Sequence, residues 1–288
     1  MVMHSIKNII IINFMCLLLF MGCSYLKVDS NALINSDVVM PTNEYSLGFN
    51  RIVFSIINNE GSESEKPINV SVENLKTSKS FALDPVFYNW PNKNGGFYVL
   101  NTKFDIVGNY LIKIKDLTDS NFIYKKEINV SENELTPKLG ELIPTLDNKI
   151  IKETKDFSEI TSDSEPDYDF YQFKLSEALN HDKLIIVFFL SPSFCKTATC
   201  FPQLDVLKKL KSKYHDKITF IHVEVYENPH LIKGDLKNVE ISPVLNDWNI
   251  KSEPYTFLID KNNYLFRKFQ GYVSYEEIEN YIVKLTNE

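Results

Sequence analysis

Between residues 44 and 130 apolar and polar positions alternate with a period of two, the spacing that puts successive side chains on opposite faces of a strand. Strands are predicted over 51–57, 68–75, 97–104, 110–115 and 122–130. Tyr110, Ile112 and Ile114 alternate with Leu111, Lys113 and Lys115, so that sheet has one better-buried face. Turn signals at Asn58-Asn59-Glu60-Gly61, Pro91-Asn92-Lys93-Asn94-Gly95-Gly96 and Val107-Gly108-Asn109 separate the runs. Short strands with no helical pattern between them predict a small antiparallel β-sandwich over 44–130.

From residue 170 the period changes. A helix is predicted over 170–180, with Phe173, Ala178 and Leu179 among its apolar positions. Leu-Ile-Ile-Val-Phe-Phe-Leu at 184–190 is continuously apolar, the mark of a central strand buried on both faces. Phe201, Leu204, Leu207 and Leu210 then recur at helical spacing, with Lys208, Lys209, Lys211 and Lys213 on the exposed side. A strand at 218–225, a short helix at 244–248, a strand at 255–260, a turn at 261–263 and a returning strand at 264–269 follow. An amphipathic helix over 274–285 closes the chain, with Ser274 and Glu277 placed as a capping box. This alternation predicts an α/β domain over 170–288.

Residues 131–169 separate the two patterns. They carry eleven acidic residues against four Lys, with Pro137, Pro144 and Pro166, and read as an acidic linker. Leu142 and Pro144 are placed to dock on a neighbouring domain, and much of 153–168 is expected to be mobile.

Composition narrows the function. A chain of 288 residues with 44% hydrophobic content is long enough for two domains with separate cores. The net charge of -7 is the wrong sign for nucleic acid, which demands a basic face.

Residues 1–7 hold one Lys and one His, and 8–21 form an apolar run short for a membrane span. The run ends Phe20-Met21-Gly22-Cys23, which resembles the lipobox of bacterial lipoproteins, with Phe20 where Leu is usual. That resemblance implies a signal peptide over 1–22, lipid on Cys23, and a polar tether over 23–43 that holds the rest on the extracytoplasmic side of the membrane. An uncleaved N-terminal anchor is the alternative. Of four cysteines, Cys16 lies in the apolar run and Cys23 at the lipobox, which leaves Cys195 and Cys200. Two thiols this close in an oxidising compartment are expected to form a disulfide or hold a metal.

Cys195-Lys-Thr-Ala-Thr-Cys200 follows the buried strand, and Glu253-Pro254-Tyr255-Thr256-Phe257 opens the hairpin. Both segments, and the element order, resemble the thioredoxin fold over 170–288. The resemblance implies that Pro254 is cis and faces the cysteines, with Cys195 as nucleophile and Cys200 as resolving partner. Thioredoxins have two residues between the thiols and this chain has four. Residues five apart on a regular helix are about 7.5 Å apart in rise alone, whereas a disulfide needs Cα atoms within about 7 Å. An intact helix therefore cannot carry both ends, and Pro202 favours a helix start between Thr199 and Pro202. The helix N-terminus favours a thiolate at Cys200, and Lys196 favours one at Cys195. No carboxylate stands in 184–190, where many thioredoxins keep a buried acid.

The segment 194–205, with His222-Val-Glu-Val-Tyr226 and Ser252-Glu-Pro-Tyr-Thr-Phe257, resembles a group of bacterial thioredoxin-domain lipoproteins with a Cys-x4-Cys site, in which Gly usually stands at Phe201. The N-terminal stretch resembles the immunoglobulin-like sandwiches that precede redox domains in some exported bacterial proteins. Together they imply a thiol–disulfide oxidoreductase whose partner is a protein thiol or disulfide, with no cofactor and no resident metal. The rival is a binding or adaptor lipoprotein braced by a structural Cys195–Cys200 bridge. Q-type peroxiredoxins share the five-residue offset, but their peroxide loop has Pro and Thr/Ser where this chain has Phe188 and Pro192. A copper site would need a histidine beside the pair; His215, His222 and His230 are the candidates. His222 reads as a core or surface residue, and Glu224 as a solvated strand-end charge.

Overall fold

The alternating N-terminal half folds into antiparallel sheets, in a computed structural model that describes residues 37–91, 93–119, 123–195, 199–237 and 239–287. The expected signal peptide, Cys16, Cys23 and most of the expected tether lie outside these residues, as do Lys196, Thr197 and Ala198.

Strands β1 (Asp37–Val39), β2 (Gly48–Asn58), β3 (Gly61–Ser62), β4 (Ile68–Asn74), β5 (Ser80–Leu83), β6 (Val86–Asn89), β7 (Gly96–Phe104), β8 (Gly108–Asp116) and β9 (Ile123–Val130) make up this half. One sheet runs β1-β2-β7-β6 with β3 on β2, the other β5-β4-β8-β9. Their inner faces share one core, in which Ile52, Phe54, Tyr98 and Leu100 meet Val70, Val72, Ile112 and Ile114. Period two predicted the long strands and missed β1, β5 and β6. All three are short edge strands; Phe81 of β5 and Val86 of β6 are 39% and 48% exposed, and β1 buries Val38 alone of its three residues, too short a run to register as a period.

Strands β2 and β7 are buried on their second face as well. Val53, Phe97 and Val99 belong to a core shared with the C-terminal half, where Phe97 lies edge-on to Tyr272 at 5.5 Å. Arg51 reaches across the same junction. Its guanidinium grips Glu277 with two bonds of 2.6 and 2.7 Å and also donates to the Tyr272 carbonyl at 3.0 Å. Bidentate pairing with further donation is what makes a buried charge tolerable. The expected capping box is therefore half made. Ser274 Oγ accepts from the Glu277 N–H at 3.1 Å, but the Glu277 carboxylate turns to Arg51 instead of back to the cap.

The C-terminal half is a four-stranded mixed sheet in the order β11-β10-β12-β13: β10 (Leu184–Leu190), β11 (Ile218–Glu224), β12 (Tyr255–Ile259) and β13 (Leu265–Gln270). Strand β10 is parallel to β11 and antiparallel to β12. All seven β10 residues are buried. Ile186 and Phe188 face α2 (Cys200–Tyr214) and α4 (Tyr275–Thr286), while Ile185, Val187 and Phe189 face α1 (Leu175–Ala178) and α3 (Val244–Asp247). Each of these side chains contributes about 1.5–3 kcal/mol of burial, which fixes the strand that leads into Cys195.

Two expectations need correction. The helix predicted over 170–180 is a 3-10 turn, Tyr168–Tyr171, followed by the single turn α1. Asn148 splits it: its Oδ1 accepts the Leu175 N–H at 2.9 Å and its amide donates to the Phe173 carbonyl at 3.1 Å. The stretch expected to be mobile is packed down. Ile160 and Thr161 are buried, Asp163 pairs with Lys208 at 2.7 Å, and Asp167 pairs with Lys211 at 3.1 Å. The acidic surplus that suggested disorder is matched by the lysine face of α2.

Candidate functional site

The end of β10 delivers the chain to Ser191, and the loop that follows sets the Phe194 ring edge-on to Tyr226 at 5.9 Å. Cys195 comes next, partly exposed. Helix α2 starts at Cys200, which is fully buried. Pro202 stands in its first turn, where the missing N–H leaves no helical bond unmade. The Gln203 N–H donates to the Thr199 carbonyl at 3.0 Å as the first helical bond. Cys195 and Cys200 form a disulfide with Cα atoms 5.9 Å apart, possible because only Cys200 is helical.

The third member is Glu253. The Glu253–Pro254 peptide is cis, and the Pro254 carbonyl is held by the Gly271 N–H at 2.9 Å. The Glu253 carboxylate lies 3.5 Å from Cys200 Sγ. A disulfide sulfur has no proton to donate, so this contact becomes a hydrogen bond when the pair is reduced. Sequence reasoning placed Glu253 in the hairpin motif without a role; its position directly before Pro254 was the available signal.

None of the three candidate histidines joins the sulfurs in a cluster of ligating atoms. His215 follows the last residue of α2, about 22 Å of helix rise from Cys200. His230 is exposed. His222 is buried and both its ring nitrogens are engaged: Nε2 is 3.0 Å from the Leu190 carbonyl and Nδ1 2.7 Å from the Tyr171 hydroxyl. A carbonyl only accepts, so Nε2 carries the proton and Nδ1 accepts from Tyr171. Burial pushes the His222 pKa down to about 4, which keeps the ring neutral. Its ring stacks on Phe188 at 5.0 Å.

Glu224 is not the solvated charge that its strand-end position suggested. It is buried, and its Oε2 accepts from both the N–H and the hydroxyl of Ser162 at 2.8 Å. Burial raises its pKa against the opposing pull of these bonds. The partner, Ser162, comes from the stretch read as a mobile linker.

Beside the first turn of α2 an open groove of about 690 Å³ is shared by both halves of the chain. Tyr88 and Trp90 of the sandwich face Phe201, Pro202 and Tyr272 across it. Phe201, the residue after Cys200, is 55% exposed.

No family model and no curated protein matches the chain. Among solved structures, the pneumococcal exposed lipoprotein thioredoxin Etrx1 from Streptococcus pneumoniae is similar to 39% of this chain over 91% of its own, at 18% identity and a TM-score of 0.29. A DUF4426 family protein from Pseudomonas aeruginosa is similar over 34% of this chain and 93% of its own, at 13% identity and a TM-score of 0.28. The Lin-41 filamin domain gives the same identity and coverages with a TM-score of 0.25. Likenesses this slight carry no argument about chemistry, which rests on the residues above.

Proposed function

We propose that this chain is an extracytoplasmic, lipid-anchored thiol–disulfide oxidoreductase, with a thioredoxin-like domain over 170–288 joined to an immunoglobulin-like sandwich. The observation that carries the reading is the asymmetry of the cysteine pair. Cys195 is partly exposed on a loop, whereas Cys200 is buried at the start of α2 with a carboxylate 3.5 Å away.

That asymmetry supports an assignment of roles. A helix N-terminus stabilises a nearby anion by about 0.3–1 kcal/mol. Two unit charges 3.5 Å apart repel by about 5 kcal/mol at an effective dielectric constant of about 20. The carboxylate therefore outweighs the helix, Cys200 keeps its proton, and Cys195 carries the thiolate. Cys195 Sγ attacks one sulfur of a substrate disulfide; a mixed disulfide forms and the first substrate thiolate leaves and takes a proton. Cys200 then passes its proton to Glu253 and attacks Cys195 Sγ. The intramolecular bond closes, and the second substrate sulfur leaves as a thiolate and takes that proton from Glu253. Two electrons have moved from the pair to the substrate, and an oxidising partner drives the same steps backwards.

Replacing Cys200 by Ser stops the second step. That variant is expected to accumulate mixed disulfides with envelope proteins, detected as reducible adducts, while Cys195→Ser accumulates none. Equal adducts from both variants would refute the assignment. Lipid on Cys23 is tested separately by palmitate labelling, expected to vanish in Cys23→Ala. The complete burial of Cys200 also favours a second reading, a structural bridge in a binding lipoprotein. In that case neither variant traps a partner.

A further inference from the structure

We infer that the reduced site is also a metal site, in which Cys195, Cys200 and Glu253 bind one Zn2+ and leave a fourth position open. The inference needs the pair to open, as the proposed function does, but does not need it to exchange with a substrate. The donor atoms of the three residues all lie within 4.8 Å of one another, the only such group of three or more metal-ligating side chains among the described residues. Tetrahedral zinc with Zn–S of about 2.3 Å and Zn–O of about 2.1 Å has an S···O edge of about 3.6 Å. Glu253 Oε2 already stands 3.5 Å from Cys200 Sγ. The remaining S···S edge is about 3.8 Å. Two sulfurs reach that separation when their bond is broken, and a Cα spacing of 5.9 Å accommodates it.

Charge favours occupancy. Reduction by a dithiol donor supplies two electrons and two protons, and the donor becomes a disulfide. Zinc binding then displaces one proton from each thiol. Two thiolates and a carboxylate that share one small volume repel one another; a dication attracts all three and leaves one net negative charge among them. The hard carboxylate oxygen selects Zn2+ over Cu(I), which prefers purely soft donors. Among the described residues no histidine joins the set, and both His222 ring nitrogens are engaged elsewhere. Zinc and the disulfide exclude each other, so the ion would protect the reduced pair from oxidation.

The test uses the full chain in detergent with Cys16→Ser and Cys23→Ser, so that two thiols remain. The protein is reduced with a phosphine, desalted under argon, and its thiols counted. Cd2+ is titrated by its thiolate charge-transfer absorption and Zn2+ by competition with a chromophoric chelator. One ion per reduced chain and none per oxidised chain is expected, with affinity at least about tenfold weaker in Glu253→Gln. X-ray absorption of the same two-thiol chain loaded with zinc, with Glu253 in place, is expected to show two sulfur neighbours with the rest oxygen, a readout that does not depend on the Glu253→Gln variant folding. Equal binding by oxidised and reduced protein, unchanged affinity in Glu253→Gln, or a four-sulfur shell would overturn the inference. A reduced pair that exchanges with disulfides yet binds no ion defeats this inference alone. A pair that no phosphine opens defeats both this inference and the proposed function.

Discussion

Two polar clusters sit at the same edge of the mixed sheet, where β10 and β11 end and β12 begins, and they are built on opposite principles. Around His222 every polar group meets a partner inside the protein: Tyr171, the Leu190 carbonyl, and for Glu224 the backbone and hydroxyl of Ser162. Such a sealed network stabilises the fold. At the other cluster Cys195 remains partly exposed, and a carboxylate faces a sulfur that has no proton to give it. Opening the disulfide gives that sulfur a proton, and the same contact then becomes a hydrogen bond. Burial alone would not separate the two clusters, because Cys200 is as deeply buried as His222. What separates them is chemistry: the His222 contacts are complete hydrogen bonds, whereas the contact between Cys200 and Glu253 changes character when the disulfide opens.

Substitutions at the two clusters are expected to part cleanly. The largest effect is Cys195→Ser, expected to bring thiol–disulfide exchange down to the uncatalysed rate in an insulin-reduction assay. The folded state then loses about 2 kcal/mol, the loop-closure contribution of so short a loop. A third buried polar pair, Arg51 with Glu277, behaves as a sealed cluster. Arg51→Ala is expected to cost about 3–5 kcal/mol in urea denaturation, because the Glu277 carboxylate stays buried without its partner.

Acid exposes the His222 cluster next. Its folded pKa of about 4 lies below the ordinary 6.5, so the unfolded chain binds a proton that the folded chain refuses. Stability is expected to fall as pH drops from about 6.5 to about 4, by on the order of 3 kcal/mol, and to level off below. His222→Gln should remove that slope in urea midpoints measured across the range. A slope that survives the substitution would place the acid sensitivity elsewhere. The smallest effect is Tyr171→Phe, which leaves Nδ1 of His222 without a donor. It is expected to cost about 1–3 kcal/mol and to leave the exchange rate unchanged.

What the sequence disclosed follows the range over which each interaction acts. Seven consecutive apolar residues announced β10, and Pro202 announced the start of α2, because these are local signals. The alternation of Tyr110, Ile112 and Ile114 likewise identified the inner face of β8. Contacts between distant segments were not legible. Nothing near Glu224 indicates that Ser162, 62 residues earlier, covers it, and nothing near Glu277 points to Arg51, 226 residues away. The same cause explains the acidic stretch, whose partners Lys208 and Lys211 lie on the helix face read as exposed. The two cysteines were legible as a site. Glu253 became part of it only when the fold brought the hairpin against α2.

The reduction potential of the Cys195–Cys200 pair tests the central claim most directly, by glutathione titration with mass readout of alkylated thiols. A value between about -120 and -270 mV, the range of working thiol–disulfide proteins, is predicted. A pair that stays oxidised throughout the titration, with a potential below about -300 mV, would contradict the account and leave a structural bridge in its place.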